Sequence, residues 1–267
     1  MVVFAGRGDA GRSMALLWRT TEPHRTAEPR RGAGLSVDLI VDAAIELADA
    51  EGMAALSMRA VGDRLGCTAM ALYTHVANKN ELLDLMHDRV LGELTGEHGP
   101  DRGWRAAVTA WAGDACAFYL RHPWVLQVSQ ARPVLGPNEY GVLEAVVRIL
   151  YATGLPAGVL RRLVGSLFHL VRATAQTIAE SRQAANATGV GDAEWWSARS
   201  AMLLEVAPDF AERFPTVVRL ETEGAVQPVD DGTPYLEREA RETFDIGLTI
   251  LLDGVEAAIL RAGSAAG

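Results

Sequence analysis

From residue 36 onward apolar residues recur at three- and four-residue steps, the period of a helix rather than the alternation of a strand. Ile40, Ala43, Ala44, Leu47 and Ala48 share a face, while Asp42, Glu46 and Asp49 take others. Ser36 offers an N-cap, Asp38 suits the positive first turn, and Gly52 offers a stop. Between residues 56 and 76 the pattern predicts two short helices with a tight bend. Ser57 and Thr68 cap them, Val61 and Leu65 line the first, and Leu72 and Val76 line the second. Gly62 is small enough for close approach, and Gly66 takes a left-handed C-cap without steric cost. Ala69, Met70, Ala71, Tyr73, Thr74 and His75 are left outward, where a recognition helix reads a major groove. An ordinary helical hairpin satisfies the same spacing.

The rest of the chain continues in helices. Asn78 caps a segment over 79–94, and Gly99-Pro100 breaks it. Further helices are predicted over 104–120, 124–130, 138–153 and, from Pro156, to about residue 182. The polar run 183–191 reads as a mobile loop, followed by short helices over 195–206 and 209–220, a loop to 234, and a closing helix over 235–261. No strand alternation and no fixed repeat appears, so the expected class is all-α. Residues 1–35, rich in Gly, Pro, Thr and Arg and without helical period, read as a flexible arm. Residues 36–95 form the helix-turn-helix unit with a fourth, linking helix, and 96–267 a larger helical domain.

Composition narrows the function. The chain has 267 residues, 49% of them apolar, enough for a sizeable core. No run reaches the roughly 18 apolar residues of a membrane span, and residues 1–13 lack the apolar region of a signal peptide. Cys67 and Cys116 match no metal spacing and read as small hydrophobes in a reducing cytoplasm. The six histidines form no ligand motif, and no cofactor or metal is expected. Gly6-Arg7-Gly8-Asp9-Ala10-Gly11-Arg12-Ser13 imitates a phosphate loop, but that chemistry needs a strand before it and a packed helix after it. Neither is expected here. A net charge of −9 argues against nonspecific nucleic-acid binding by the molecule as a whole, so any DNA contact must be local.

The run 35–94 resembles the TetR family of regulators. The resemblance rests on Ile40–Ala44, Gly52, Leu56-Ser57-Met58-Arg59, Leu65-Gly66, Leu72-Tyr73-Thr74-His75-Val76 and Asn78-Lys79-Asn80-Glu81-Leu82-Leu83. It implies that Tyr73, His75 and Lys79 contact phosphates and places Arg59 at a position that reaches a base in some members, a surface salt bridge being the other reading of Arg59. Lys79, the chain's one lysine, begins a helix, where backbone N–H groups also favour a phosphate. Charge raises a difficulty. Residues 36–95 hold ten acids against four bases, net −6, whereas phosphate binding needs a positive face. The arm is net +3, six arginines against three acids, so Arg25, Arg30 and Arg31 are expected to enter the adjacent minor groove.

The remaining two-thirds resembles the family's ligand-binding and dimer-forming domain. Its markers are Trp104-Arg105, Arg121-His122-Pro123-Trp124, Gly136-Pro137, Gly154-Leu155, Phe244-Asp245-Ile246-Gly247-Leu248 and Leu251-Leu252-Asp253-Gly254. The resemblance implies a homodimer through the long helix from Pro156 and the closing helix, on an inverted-repeat DNA operator. The broad apolar cover of Leu163, Val164, Leu167, Phe168, Leu170 and Val171 suits such an interface. Trp111, Phe118, Trp124, Phe168, His169, Arg172 and Trp195 are candidate ligand contacts. Thr95 and Ser129 stand where the tetracycline repressor branch carries histidines, and Trp111 where it carries an asparagine. A magnesium–tetracycline complex is therefore not implied, and a larger aromatic or apolar effector is. The implied function is a ligand-released, cytoplasmic transcriptional repressor, not an enzyme and without a membrane partner. The alternatives are an activator, an effector-binding module without operator contact, and an all-helical enzyme using acids such as Asp114 or Glu144.

Overall fold

A computed structural model of the chain describes residues 3–19, 34–96, 103–224 and 232–265. Among these the fold is all-α, and its one β element is an isolated parallel bridge between Val3 and Val128.

The N-terminal head consists of α2 (Val37–Glu51), α3 (Met58–Leu65) and α4 (Ala69–Tyr73), closed by the first half of α5 (Lys79–Leu91). Its ends are set by the anticipated caps. The Ser36, Ser57 and Thr68 hydroxyls accept from the amides of Leu39, Ala60 and Ala71. Asn78 takes two amides, those of Asn80 and Glu81. Gly66 ends α3 in the left-handed region at φ 69°. Ile40, Val61, Leu72, Val76, Leu82 and Met86 fill the core between these helices. At the bend, a Cβ on Gly62 would meet the Cys67 carbonyl at 2.8 Å, so the close approach of α3 to the turn depends on glycine.

The body holds α6 (Trp104–Arg121), α7 (Pro137–Tyr151), α8 (Ala157–Thr188) and α12 (Tyr235–Ala265), with α8 packed between α6 and α12. Short helices α9 (Asp192–Val206), α10 (Phe210–Arg213) and α11 (Pro215–Glu223) bury no residue. α8 runs six residues beyond the expected end at 182. Its last turns are exposed Ala, Asn and Gln, which keep helical geometry until Gly189 turns left-handed at φ 73°. The predicted loop 183–191 is therefore mostly helix. Leu163, Val164, Leu167 and Val171 are buried within the chain, and Phe168 and Leu170 pack partly against its core. Their apolar breadth serves packing inside the chain. The outward large apolar residues of the closing helix are Tyr235 and Leu236 at its start, then Ile246, Ile250 and Leu260.

The largest departure from expectation lies at the N-terminus. Within residues 1–35, read as a flexible arm without a packed helix, residues 3–19 fold onto the rest of the protein. α1 (Ala10–Leu17) is capped by Asp9 and packs along α5. Ala5, Ser13 and Leu17 are buried. The second half of the Gly6–Ser13 run is thus itself the start of a packed helix, and the run's first glycine amide is spent on Asp84 rather than offered to a phosphate.

Candidate functional site

Two sites emerge, joined by α5. The first is the outer face of the N-terminal head. Met70 on α4 is 72% exposed and Tyr73 42%, while Leu72 beneath them is fully buried. Ala69 and Ala71 are half-buried small residues that let α4 lie close to a surface. The Thr74 hydroxyl donates to the Ala71 carbonyl, which closes the helix end, and His75 is half-buried beyond it. The Arg59 side chain is 89% exposed, with Asp63 one turn on at 3.8 Å. Lys79 is exposed, and its Nζ donates to the Leu56 carbonyl, which pins the start of α5 to the loop before α3. The sequence thus places Arg59, Ala69, Met70, Ala71, Tyr73, Thr74, His75 and Lys79 in one compact region. Arg25, Arg30 and Arg31 lie outside the described residues.

The acidic balance around this face has a structural answer. Glu81, Asp84 and Asp88 are all buried on α5, at three- and four-residue steps, pointing away from solvent. Glu81 accepts from the Ala77 amide and, at 3.0 Å, from Arg12. Asp84 accepts from the Gly6 amide at 2.9 Å. Asp88 takes the amides of Asn138 and Glu139 and the Asn138 side chain, at 2.9–3.0 Å, and so caps α7 from outside the helix. Burial pushes the Asp84 and Asp88 carboxyls above the usual range, against the downward pull of these hydrogen bonds. A Cβ at Gly136 would run into the Asp88 carboxylate, which accounts for glycine before Pro137. Asp38 and Asp42 pair with Arg89, and Asp49 accepts from Trp124 Nε1 at 2.8 Å beside His122. Most of the head's acids face inward or sideways, so the formal −6 does not describe the face that α4 presents.

The second site is a cavity of about 410 Å³ in the body, within the ~300–1,000 Å³ range of small-molecule pockets. Its apolar wall comes from Leu91, Val128, Val134, Val142, Leu143 and Val164, with Tyr119, Tyr140 and Phe168 as aromatic surfaces. His87, Glu139, His169 and Arg172 supply polar groups. Arg172 spends its guanidinium on the carbonyls of Val125, Leu126 and Val128, and lies 5.7 Å from the Tyr119 ring. Burial, reinforced by the Arg172 charge, lowers His87 to about 4, so its ring is neutral at physiological pH. His87 Nδ1 is buried with no hydrogen-bond partner.

Of the seven expected ligand contacts, Phe168, His169 and Arg172 line this cavity. Trp111 lies behind Phe168, ring centroids 5.1 Å apart, with its indole N–H buried and unpartnered. Phe118 is core, against Tyr119 and His122. Trp124 is buried at the joint between head and body, its indole tied to Asp49. Trp195 stands on α9, packed edge-to-face on Trp196 and away from the cavity lining. His87, Tyr119, Glu139 and Tyr140 were not anticipated; Tyr119 follows Phe118 on α6, one position around the helix from the residue chosen. Among the described residues no cluster of His, Cys, Asp or Glu could hold a metal, and no helix is long and apolar enough to cross a membrane.

Comparison with known proteins agrees with this layout. Residues 40–86 match the family of bacterial regulatory proteins, tetR family, and residues 98–259 match the tetracyclin repressor-like C-terminal domain. The HTH-type transcriptional repressor DrrR1 of Streptomyces coeruleorubidus is 38% identical over 255 residues, covering 94% of this chain and 87% of that protein. The crystal structure of apo ActR from Streptomyces coelicolor superposes with a TM-score of 0.67 at 28% identity, over 86% of this chain and 99% of that one. ActR in complex with actinorhodin superposes at 0.65, also at 28% identity, over 85% and 97% of the two chains.

Proposed function

We propose, starting from the fact that the chain belongs to the tetR family of bacterial regulatory proteins and is a transcriptional repressor of that kind, that it binds an inverted-repeat operator as a homodimer and releases it when an aromatic effector fills the body cavity. One observation carries the reading. α5 holds Lys79 and the end of α4 at its first turn, and contributes His87 and Leu91 to the cavity wall two turns later. An occupant that displaces the second half of α5 also displaces the first. The coupling is limited by the effector's difference in affinity between the two states.

The effector class follows from the lining. Three aromatic rings on an apolar wall favour a fused aromatic molecule, and neutral His87 can hydrogen-bond a hydroxyl or carbonyl without demanding a charge. ActR, with actinorhodin bound, supports this choice. For the dimer, Ile246 and Ile250 stand one turn apart on α12, 62% and 66% exposed. A second copy on this face covers them, and twofold symmetry then sets two recognition helices on one side of the DNA.

Gel shift against the chain's own promoter region, followed by titration with actinorhodin and with fused aromatic compounds, tests the reading. A sequence-specific shift by a dimer, lost on adding one of these compounds, is expected. A purified dimer that selects no operator sequence from a random pool would overturn it and favour a binding module without operator contact.

A further inference from the structure

We infer that residues 3–19 are a coupling strap, tying the wall of the effector cavity to the first half of α5 and to the end of the recognition helix. The inference concerns regulation of the site proposed above and rests on that reading for its biological meaning. Its physical basis is separate.

The strap touches the cavity wall at two points. At its start, the Val3 amide donates to the Gln127 carbonyl and the Ser129 amide donates to the Val3 carbonyl, both at 2.8 Å. Val128 and Ser129 line the cavity. At its end, Trp18 Nε1 donates to the Leu135 carbonyl at 2.9 Å, and the Trp18 ring lies 6.2 Å from Tyr140. Leu135 and Tyr140 line the cavity too, and Leu135 is the one non-glycine residue described at positive φ, at 60°. That conformation is costly for a leucine and persists only where its surroundings hold it. The Trp18 indole is one of the groups that hold it.

Between these points the strap grips the head. Arg12 donates to the buried Glu81 at 3.0 Å and to the His75 carbonyl, at the end of the recognition helix, at 3.3 Å. Glu81 also accepts the Ala77 amide, so one carboxylate joins the strap to the link between α4 and α5. The Gly6 amide donates to Asp84 Oδ1 one turn further on, and Arg19 reaches Asp38 on α2. Ala5 and Leu17 anchor both ends of this stretch in the core. An occupant that moves the 127–129 or 135–140 wall therefore pulls on a segment whose middle holds the recognition helix. Arg12 is a positioning residue in this device; nothing requires it to touch DNA.

Linkage makes the test independent of any effector: if two ends are coupled, disturbing either must be felt at the other. Hydrogen exchange is followed on the full-length protein and on Trp18→Phe, which keeps the ring but loses the N–H, and Arg12→Gln. In W18F the amides of 76–82 are expected to exchange about five- to tenfold faster, the effect of one lost hydrogen bond on a local opening. In R12Q the amides of 128–135 are expected to do the same. Changes confined to 133–140 in W18F and to 75–84 in R12Q would show two local anchors and no strap. Operator binding by the same proteins separates the two proposals. A wild-type chain that binds no operator refutes the proposed function, while the exchange result still decides the strap.

Discussion

Replacing Gly62 by alanine isolates the geometry of the helix-turn-helix from its stability. The new Cβ would lie 2.8 Å from the Cys67 carbonyl oxygen and 3.3 Å from the Ala69 nitrogen, both backbone atoms. Ordinary contact begins near 3.4 Å, so the turn must move by roughly 0.6 Å. That turn carries Thr68, whose hydroxyl caps α4, and the displacement passes to Met70 and Tyr73. Overpacking of this kind costs ~1–3 kcal/mol. Alanine gains ~1 kcal/mol over glycine inside a helix. The two partly offset, leaving a net loss of ~0–2 kcal/mol in stability. In the proposed operator complex affinity has no such offset, because base contacts worth ~1–3 kcal/mol each would depend on side-chain placement. G62A is therefore expected to lose about tenfold or more in operator Kd while its Tm falls no further than that of the Gly66 control below. Gly66→Ala is the control. Its φ of 69° is strained for alanine, but nothing lies within 4 Å of the added Cβ. The left-handed conformation costs ~1–2 kcal/mol, which lowers Tm by about 2–4 °C per kcal/mol in a chain of this size, with Kd for the folded protein within about twofold of wild type. Gel-shift titration and thermal melts of the two variants side by side decide the matter. A G62A protein with wild-type operator affinity would refute the argument that the close approach sets the recognition helix.

Two pH dependences follow from buried groups. Glu237, bound by Arg182 and Arg241 at 2.7–2.8 Å, has its carboxyl lowered from 4.5 to about 2, so its contribution is full above pH 4.5 and lost as pH falls towards 2. Glu237→Gln is expected to melt lower at neutral pH and to lose that part of the acid dependence; an unchanged slope in melts between pH 4.5 and 2 would contradict it. His87 is lowered from 6.5 to about 4 by burial, so its contribution is full above pH 6.5 and lost as pH falls to 4, where the unfolded chain takes a proton that the folded one refuses. His87→Phe is expected to flatten stability between pH 6.5 and 4, and a melt series retaining the wild-type slope would show that another group titrates there.

What the sequence revealed depended on how far apart the partners lie. Caps, the left-handed Gly66 and the inward pair Leu72 and Val76 are local, and each is visible within a few residues. Phe168, His169 and Arg172 were legible because they share one helix with an apolar stripe. The N-terminal segment was not, because its contacts are remote. Gly6 meets Asp84 across 78 residues, and Trp18 meets Leu135 across 117. Within α1 only Ser13 and Leu17 are buried, one i,i+4 pair, too little to register as a helical period among glycines and arginines. Trp124 misled for a related reason: an aromatic on a buried face serves a head–body joint as readily as a ligand, and its partner Asp49 lies 75 residues away.

The three buried acids of α5 also limit how the proposed switch can move. A buried carboxylate separated from its donors costs several kcal/mol, more than a small effector's differential affinity readily supplies. Glu81, Asp84 and Asp88 draw their donors from three places: Arg12 with the α4–α5 link, the Gly6 amide, and the first turn of α7. Sliding α5 past its neighbours by a full turn would break all of these at once. A tilt that carries α1 and the start of α7 along with α5 breaks none of them. The available motion is thus a rigid tilt of α5 with the strap attached, pivoting where Asp88 holds α7 beside the cavity. Its amplitude grows with distance from that pivot, and it is largest at Lys79 and the recognition helix, at the far end of the same helix.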